Sequence, residues 1–111
     1  MRKLLVAVLV VAVAAIGAAQ ALAATRSVKI GDDYFVRKGS MPTVTVRKGT
    51  TVTWRWTGKD LHNIAVTSGP ATFRSSYKDS GSYSRTVRRA GTYTIVCTIH
   101  SGMRMKLRVT G

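Results

Sequence analysis

Along residues 26–109 apolar side chains recur at every second position through most segments, and no stretch long enough for a helix carries a 3.6-residue repeat. The chain is therefore expected to be all-β. In residues 43–47 and 51–56 valine and tryptophan alternate with threonine and arginine, the pattern of strands that bury one face and wet the other. Lys48-Gly49-Thr50 between them is a turn signal, so this pair is expected to form a hairpin. Residues 61–66, 82–87, 93–97 and 104–109 show further strand patterns, with 26–30 as the first strand. Gly39, Gly58, Gly69-Pro70, Gly81 and Gly91 punctuate them. About seven short strands at such spacing predict a two-sheet Greek-key β-sandwich. Residues 68–80 break the alternation with Gly, Pro, Ser and charged residues around Phe73 and Tyr77, and are expected to connect one sheet to the other.

Residues 1–24 follow a different rule. Arg2 and Lys3 precede an apolar run over 4–16, and the segment ends in Ala21-Leu22-Ala23-Ala24, the order of a secretion signal. The folded domain is then residues 25–111, placed in the periplasm or outside the cell. The uncharged stretch is also long enough to span a bilayer if it is kept as an anchor. With a single cysteine the domain has no internal disulfide, so a bound metal is one way for so small a core to gain stability.

Charge narrows the partners. The chain carries 18 basic and 4 acidic residues, a net +14, and removing Arg2 and Lys3 leaves +12 on the domain. Such a field draws a protein to acidic partners and to anionic membrane or cell-wall surfaces. Nucleic acid is not expected, because the basic residues are scattered along strands and turns and the chain is exported. One small domain with this much charge is expected to be a monomer.

The chemistry is concentrated near the C-terminus, where Cys97, His100 and Met103 lie within seven residues, while the second histidine, His62, sits far upstream. Taken singly, a buried cysteine reads as a small hydrophobe and a lone histidine as structural. Together they supply one thiolate, two imidazoles and a thioether, the donor set of a blue-copper electron-transfer site. Strand parity allows them to converge. His62 shares a face with Ile64 and Val66, and Cys97 with Tyr93 and Ile95, so both point inward; if their strands pair antiparallel, both fall at one end of the sandwich. The loop leaving Cys97 would then close over the site.

Several segments carry a resemblance. Gly49-Thr50-Thr51-Val52-Thr53-Trp54, His62-Asn63, and Ala90-Gly91-Thr92-Tyr93 through Cys97-Thr98-Ile99-His100 resemble the cupredoxins of the plastocyanin and amicyanin kind, over nearly all of residues 28–109. The short gap from His100 to Met103 is most similar to amicyanin. The resemblance implies a type-1 copper ion with His62, Cys97 and His100 as equatorial ligands and Met103 as the axial one. Met105 is the rival axial residue, but it alternates with Leu107 and Val109 and reads as strand core. Asn63 is expected to tie its strand to the ligand loop. The family often has proline where this chain has Leu61 and Ile99, and the N–H that Ile99 retains is expected to point at the Cys97 sulfur and raise the reduction potential.

The function implied is one-electron transfer between redox partner proteins, with His100 as the exposed ligand and Leu61, Ile99 and Gly102 as the apolar surround. An enzyme is not expected, because catalytic copper centres need further histidines and both are committed here. The alternative is an extracytoplasmic copper-binding or copper-handling protein without an electron-carrier role.

Overall fold

The computed structural model describes residues 24–111, so the expected secretion segment, all but its last residue Ala24, lies outside the described residues. Eight strands form: β1 (Thr25–Gly31), β2 (Tyr34–Phe35), β3 (Thr43–Arg47), β4 (Thr50–Trp56), β5 (Ala65–Ser68), β6 (Ser82–Val87), β7 (Gly91–Val96) and β8 (Arg104–Thr110). They make two four-stranded sheets, ordered β2-β1-β4-β6 and β3-β8-β7-β5. The all-β sandwich is as expected, with one strand more. The addition is β2, whose two residues are too few to show a period. Within the sheets β1 pairs with β4 and β3 with β8 in parallel, and the other neighbours are antiparallel.

Alternation produces the core. Val28 and Ile30 of β1, Val52, Trp54 and Trp56 of β4, and Val87 of β6 point inward from one sheet. Val44 and Val46 of β3, Tyr93 and Ile95 of β7, and Met105, Leu107 and Val109 of β8 meet them from the other. Phe73, from the connection between β5 and β6, joins an aromatic group with Trp54 and Tyr93, its ring centroid 6.0 Å from each.

The expected hairpin over 43–56 is corrected by the structure. β3 and β4 lie in different sheets, so Lys48-Gly49 is a corner between layers rather than a turn within one. The corner is built by backbone bonds to both sheets, Lys48 N–H to Thr110 O at 2.7 Å and Gly49 N–H to Val87 O at 2.6 Å. Gly49 has φ +91°, the left-handed region open to glycine. Alternation says only that each strand has an inward face; it is silent on whether two inward faces belong to one sheet or to two.

Residues 69–81 cross from β5 in one sheet to β6 in the other, as expected. On the way the segment folds back on the start of β5 and the residue before it: Val66 N–H bonds Phe73 O at 3.0 Å, and Ser75 N–H bonds Ile64 O at 2.9 Å. That cover changes one expectation. Residues 62–65 are all buried instead of alternating, because the crossing segment shields the face a two-layer sandwich would leave wet.

Candidate metal centre

His62 lies just before β5 on a backbone pinned from two sides. Its N–H and C=O pair with Lys78 at 2.9 and 3.0 Å, and Trp56 Nε1 donates to the same carbonyl at 3.0 Å. Cys97 follows the last residue of β7 and continues the inward face of Tyr93 and Ile95. Since β5 and β7 pair antiparallel, Ala65 opposite Val96, the start of one and the end of the other fall at the same end of the sandwich. His100 stands on the loop between β7 and β8. That loop is closed at its neck, where Cys97 N–H bonds Met103 O at 3.0 Å and Met103 N–H bonds His100 O at 3.2 Å.

The convergence is close. His62 Nδ1 and His100 Nδ1 are 3.1 Å apart, and Cys97 Sγ is 4.0 Å from the first and 3.4 Å from the second. Donors that each sit about 2.0–2.3 Å from a common ion are separated by about 3–4 Å, so these atoms fit a first-row metal. His62, Cys97 and Met103 are buried, and the His100 side chain retains 27% exposure.

The outer edges of both rings face carboxylates. His62 Nε2 is 3.0 Å from Asp32 Oδ1, and His100 Nε2 is 3.3 Å from Asp33 Oδ1. Asp32 is held in turn by the backbone N–H groups of Lys59 and Asp60, each at 3.0 Å. The Asp60 N–H above all, then the His62 ring and the Lys59 N–H, lower the Asp32 carboxyl to a pKa of about 2.

The sequence matches the family model of copper binding proteins, plastocyanin/azurin family, over residues 35–110. The chain belongs to this family. No curated protein matches it at the level of sequence. Among solved structures, this cupredoxin is similar to an oxidized proline variant of amicyanin, 31% identical over 82% of this chain and 88% of that one, with a TM-score of 0.62. The Cu(I) form of a methionine variant of amicyanin is 31% identical over 83% and 88%, with a TM-score of 0.63. A copper-containing nitrite reductase from Thermus scotoductus SA-01 has a TM-score of 0.64 at 24% identity, but this chain spans only 23% of that protein, and the likeness is one of fold. The cofactor of the cupredoxin is copper, and its donor set is that of a type-1 site.

Each residue singled out in the sequence has a defined place. Met103 is buried at the neck of the ligand loop, whereas Met105 is fully buried inside β8, opposite Ile95. Asn63 is fully buried, and its Oδ1 accepts from Thr98 N–H at 2.9 Å and Thr98 Oγ1 at 3.3 Å. It therefore ties the His62 segment to the ligand loop. Ile99 differs from its expected role. Among the described residues the hydrogen-bonding neighbours of Cys97 Sγ are the two Nδ1 atoms, and the Ile99 N–H is not one of them. Its side chain is instead half-exposed, like that of Leu61. Asp32 and Asp33 escaped the sequence reading. The one trace they leave there is that a chain with four acidic residues places two of them side by side.

Proposed function

We propose that this cupredoxin is an exported electron carrier that passes one electron at a time between redox proteins. Its copper would be held by His62, Cys97, His100 and Met103. The observation that carries the reading is the meeting of two Nδ1 atoms and one Sγ within 4.0 Å at the end of a closed sandwich. Bound there, copper supplies a Cu(II)/Cu(I) couple in a geometry tolerable to both oxidation states. The chain fixes that geometry. Backbone pairs hold His62 to Lys78 and the neck of the loop shut, and burial of Cys97 and Met103 keeps water away.

His100 is the partly exposed member of the set, so electrons enter and leave through its ring edge. Leu61 and Ile99, each 51% exposed, give the neighbouring surface an apolar character suited to brief docking. Among the described residues no lysine or arginine is paired with a carboxylate, so the net positive field is free to steer an acidic partner, or to hold the protein near an anionic membrane or wall. Both histidines of the chain sit in the one cluster, which leaves no imidazole for a second, catalytic copper. The protein acts as a monomeric carrier rather than an enzyme. No helix among the described residues is long and apolar enough to cross a membrane.

The test is the visible absorption of the protein with one equivalent of Cu(II), followed by ascorbate. An intense thiolate-to-copper band that bleaches on reduction and returns on oxidation is the expected result. Weak absorption with loss of the thiol would overturn the carrier reading in favour of copper handling.

A further inference from the structure

The few carboxylates of this chain are spent in an unusual way. Against 18 lysines and arginines there are four aspartates and no glutamate. Yet among the described residues every ion-pair contact joins an aspartate to one of the two histidines, Asp32 to His62 and Asp33 to His100. The two aspartates are consecutive and form the two-residue turn between β1 and β2, so one turn reaches both rings. We propose that Asp32 and Asp33 are positioning residues for the two copper-ligating imidazoles: each carboxylate accepts the Nε2–H of one ring, which leaves its Nδ1 lone pair facing Cys97, and their joint negative charge favours the oxidized centre. This rests on the copper assignment made above.

The placement of Asp32 is built. The 57–60 turn is clamped to β1 by Thr57 N–H and Thr57 Oγ1, both 2.9 Å from Ile30 O. From that turn Lys59 N–H and Asp60 N–H donate to the carboxylate. Gly58 completes the cradle, because a Cβ there would fall directly on the Asp32 carboxylate. Gly58 is not among the residues of positive φ, so space for Asp32, rather than backbone conformation, accounts for glycine at this position. Asp33 is held less firmly. Its side chain is 64% exposed, its contact to His100 is 3.3 Å, and its φ of 71° is one that Asp and Asn tolerate. A carboxylate behind a ligand histidine fixes the tautomer and raises the basicity of the donor nitrogen. Negative charge near the metal stabilises the more positive oxidation state. Both effects lower the potential, and Asp32 should dominate.

The test measures the reduction potential of the copper protein in Asp32→Asn, Asp33→Asn and Gly58→Ala, together with hydrogen exchange of the His62 Nε2–H by ¹⁵N-edited NMR. Asp32→Asn is expected to keep the blue band and shift the Cu(I)/Cu(II) ratio at fixed poise toward Cu(I) about tenfold, about 59 mV for one electron. Asp33→Asn should shift it in the same direction by less, and its turn tolerates Asn. Gly58→Ala should move the potential as Asp32→Asn does without altering any charge, since it displaces the carboxylate. The His62 Nε2–H should exchange slowly in the wild type and rapidly in Asp32→Ala. Potentials equal to wild type in all three variants with the blue band intact, or equal exchange in Asp32→Ala, would overturn the proposal. A wild type without the blue band would overturn the carrier reading instead, and exchange at His62 in the metal-free protein would still decide the role of Asp32.

Discussion

Replacing Asn63 by alanine tests whether the ligand loop is tethered from outside the metal. Asn63 is fully buried, and its Oδ1 is the acceptor for the Thr98 N–H at 2.9 Å, with a longer bond to the Thr98 hydroxyl at 3.3 Å. Truncation leaves the Thr98 N–H without its partner, a cost toward the low end of about 1–3 kcal/mol because the bond is only part-buried and Thr98 itself is exposed. Part of this is offset, because Asn63 Nδ2 is itself buried without a partner and its removal relieves that burden. The net expectation is about 1 kcal/mol of lost stability in the metal-free protein. At a urea dependence of about 1–2 kcal/mol/M this moves the unfolding midpoint down by about 0.5–1 M. Cys97, His100 and Met103 all lie on the tethered loop, so copper affinity should fall about 10–100-fold as well. Urea melts followed by tryptophan fluorescence, and competition against a chelator of known affinity, measure the two effects. Thr98→Val is the control, since it keeps the main-chain bond and should cost less. If Asn63→Ala moved neither the urea midpoint nor the copper affinity, the tether would carry no energy and the reasoning would fail.

Cys97→Ser should abolish the thiolate-to-copper band while the metal-free protein keeps its β-rich circular dichroism spectrum. Met105→Ala should destabilise the metal-free protein by about 2–5 kcal/mol and retain the blue band, since it removes a core side chain, whereas Met103→Ala should alter the band and the potential; the reverse assignment of effects would make Met105 the axial residue. Because the Asp32 carboxyl sits at about 2 in the fold against an ordinary 3.8, it contributes stability that is present above pH 3.8 and lost as pH falls toward 2. The acid limb of the metal-free protein's stability profile should therefore be shallower in Asp32→Asn, as urea midpoints between pH 2 and 5 would show. Electron exchange with an acidic redox protein should slow steeply as salt is raised, and a rate indifferent to ionic strength in stopped-flow would remove the steering role of the net charge.

The period-two pattern disclosed every long strand, because burial of one face writes itself into alternate positions, as in Val44 and Val46 or Met105, Leu107 and Val109. The candidate ligands were legible for a different reason. Three of them share one short loop, and the chain holds too few cysteines and histidines for their grouping to be incidental. What stayed hidden depends on how distant segments meet. The turn at Lys48-Gly49 looks the same whether the next strand returns to its own sheet or enters the other. The burial of residues 62–65 comes from a cover supplied by residues 73–78, which no local period records. Asp32 reaches His62 because β1 lies beside β4 and the 57–60 turn folds back over the end of β1, a placement set by sheet order and by no spacing along the chain.

Both layers of the sandwich take part in the copper end, with different duties. His62, Cys97 and Met103 flank β5, β7 and β8 of one sheet, while Asp32 and Asp33 hang from the β1–β2 hairpin of the other. The donor atoms and the groups that aim them are thus mounted on separate plates. Mechanically the site is a joint. A slide of one plate over the other by an ångström would stretch the 3.0 Å contact between Asp32 and His62 past hydrogen-bonding reach and let the ring turn. The electronic state of the metal is in that sense a gauge of how squarely the two layers sit.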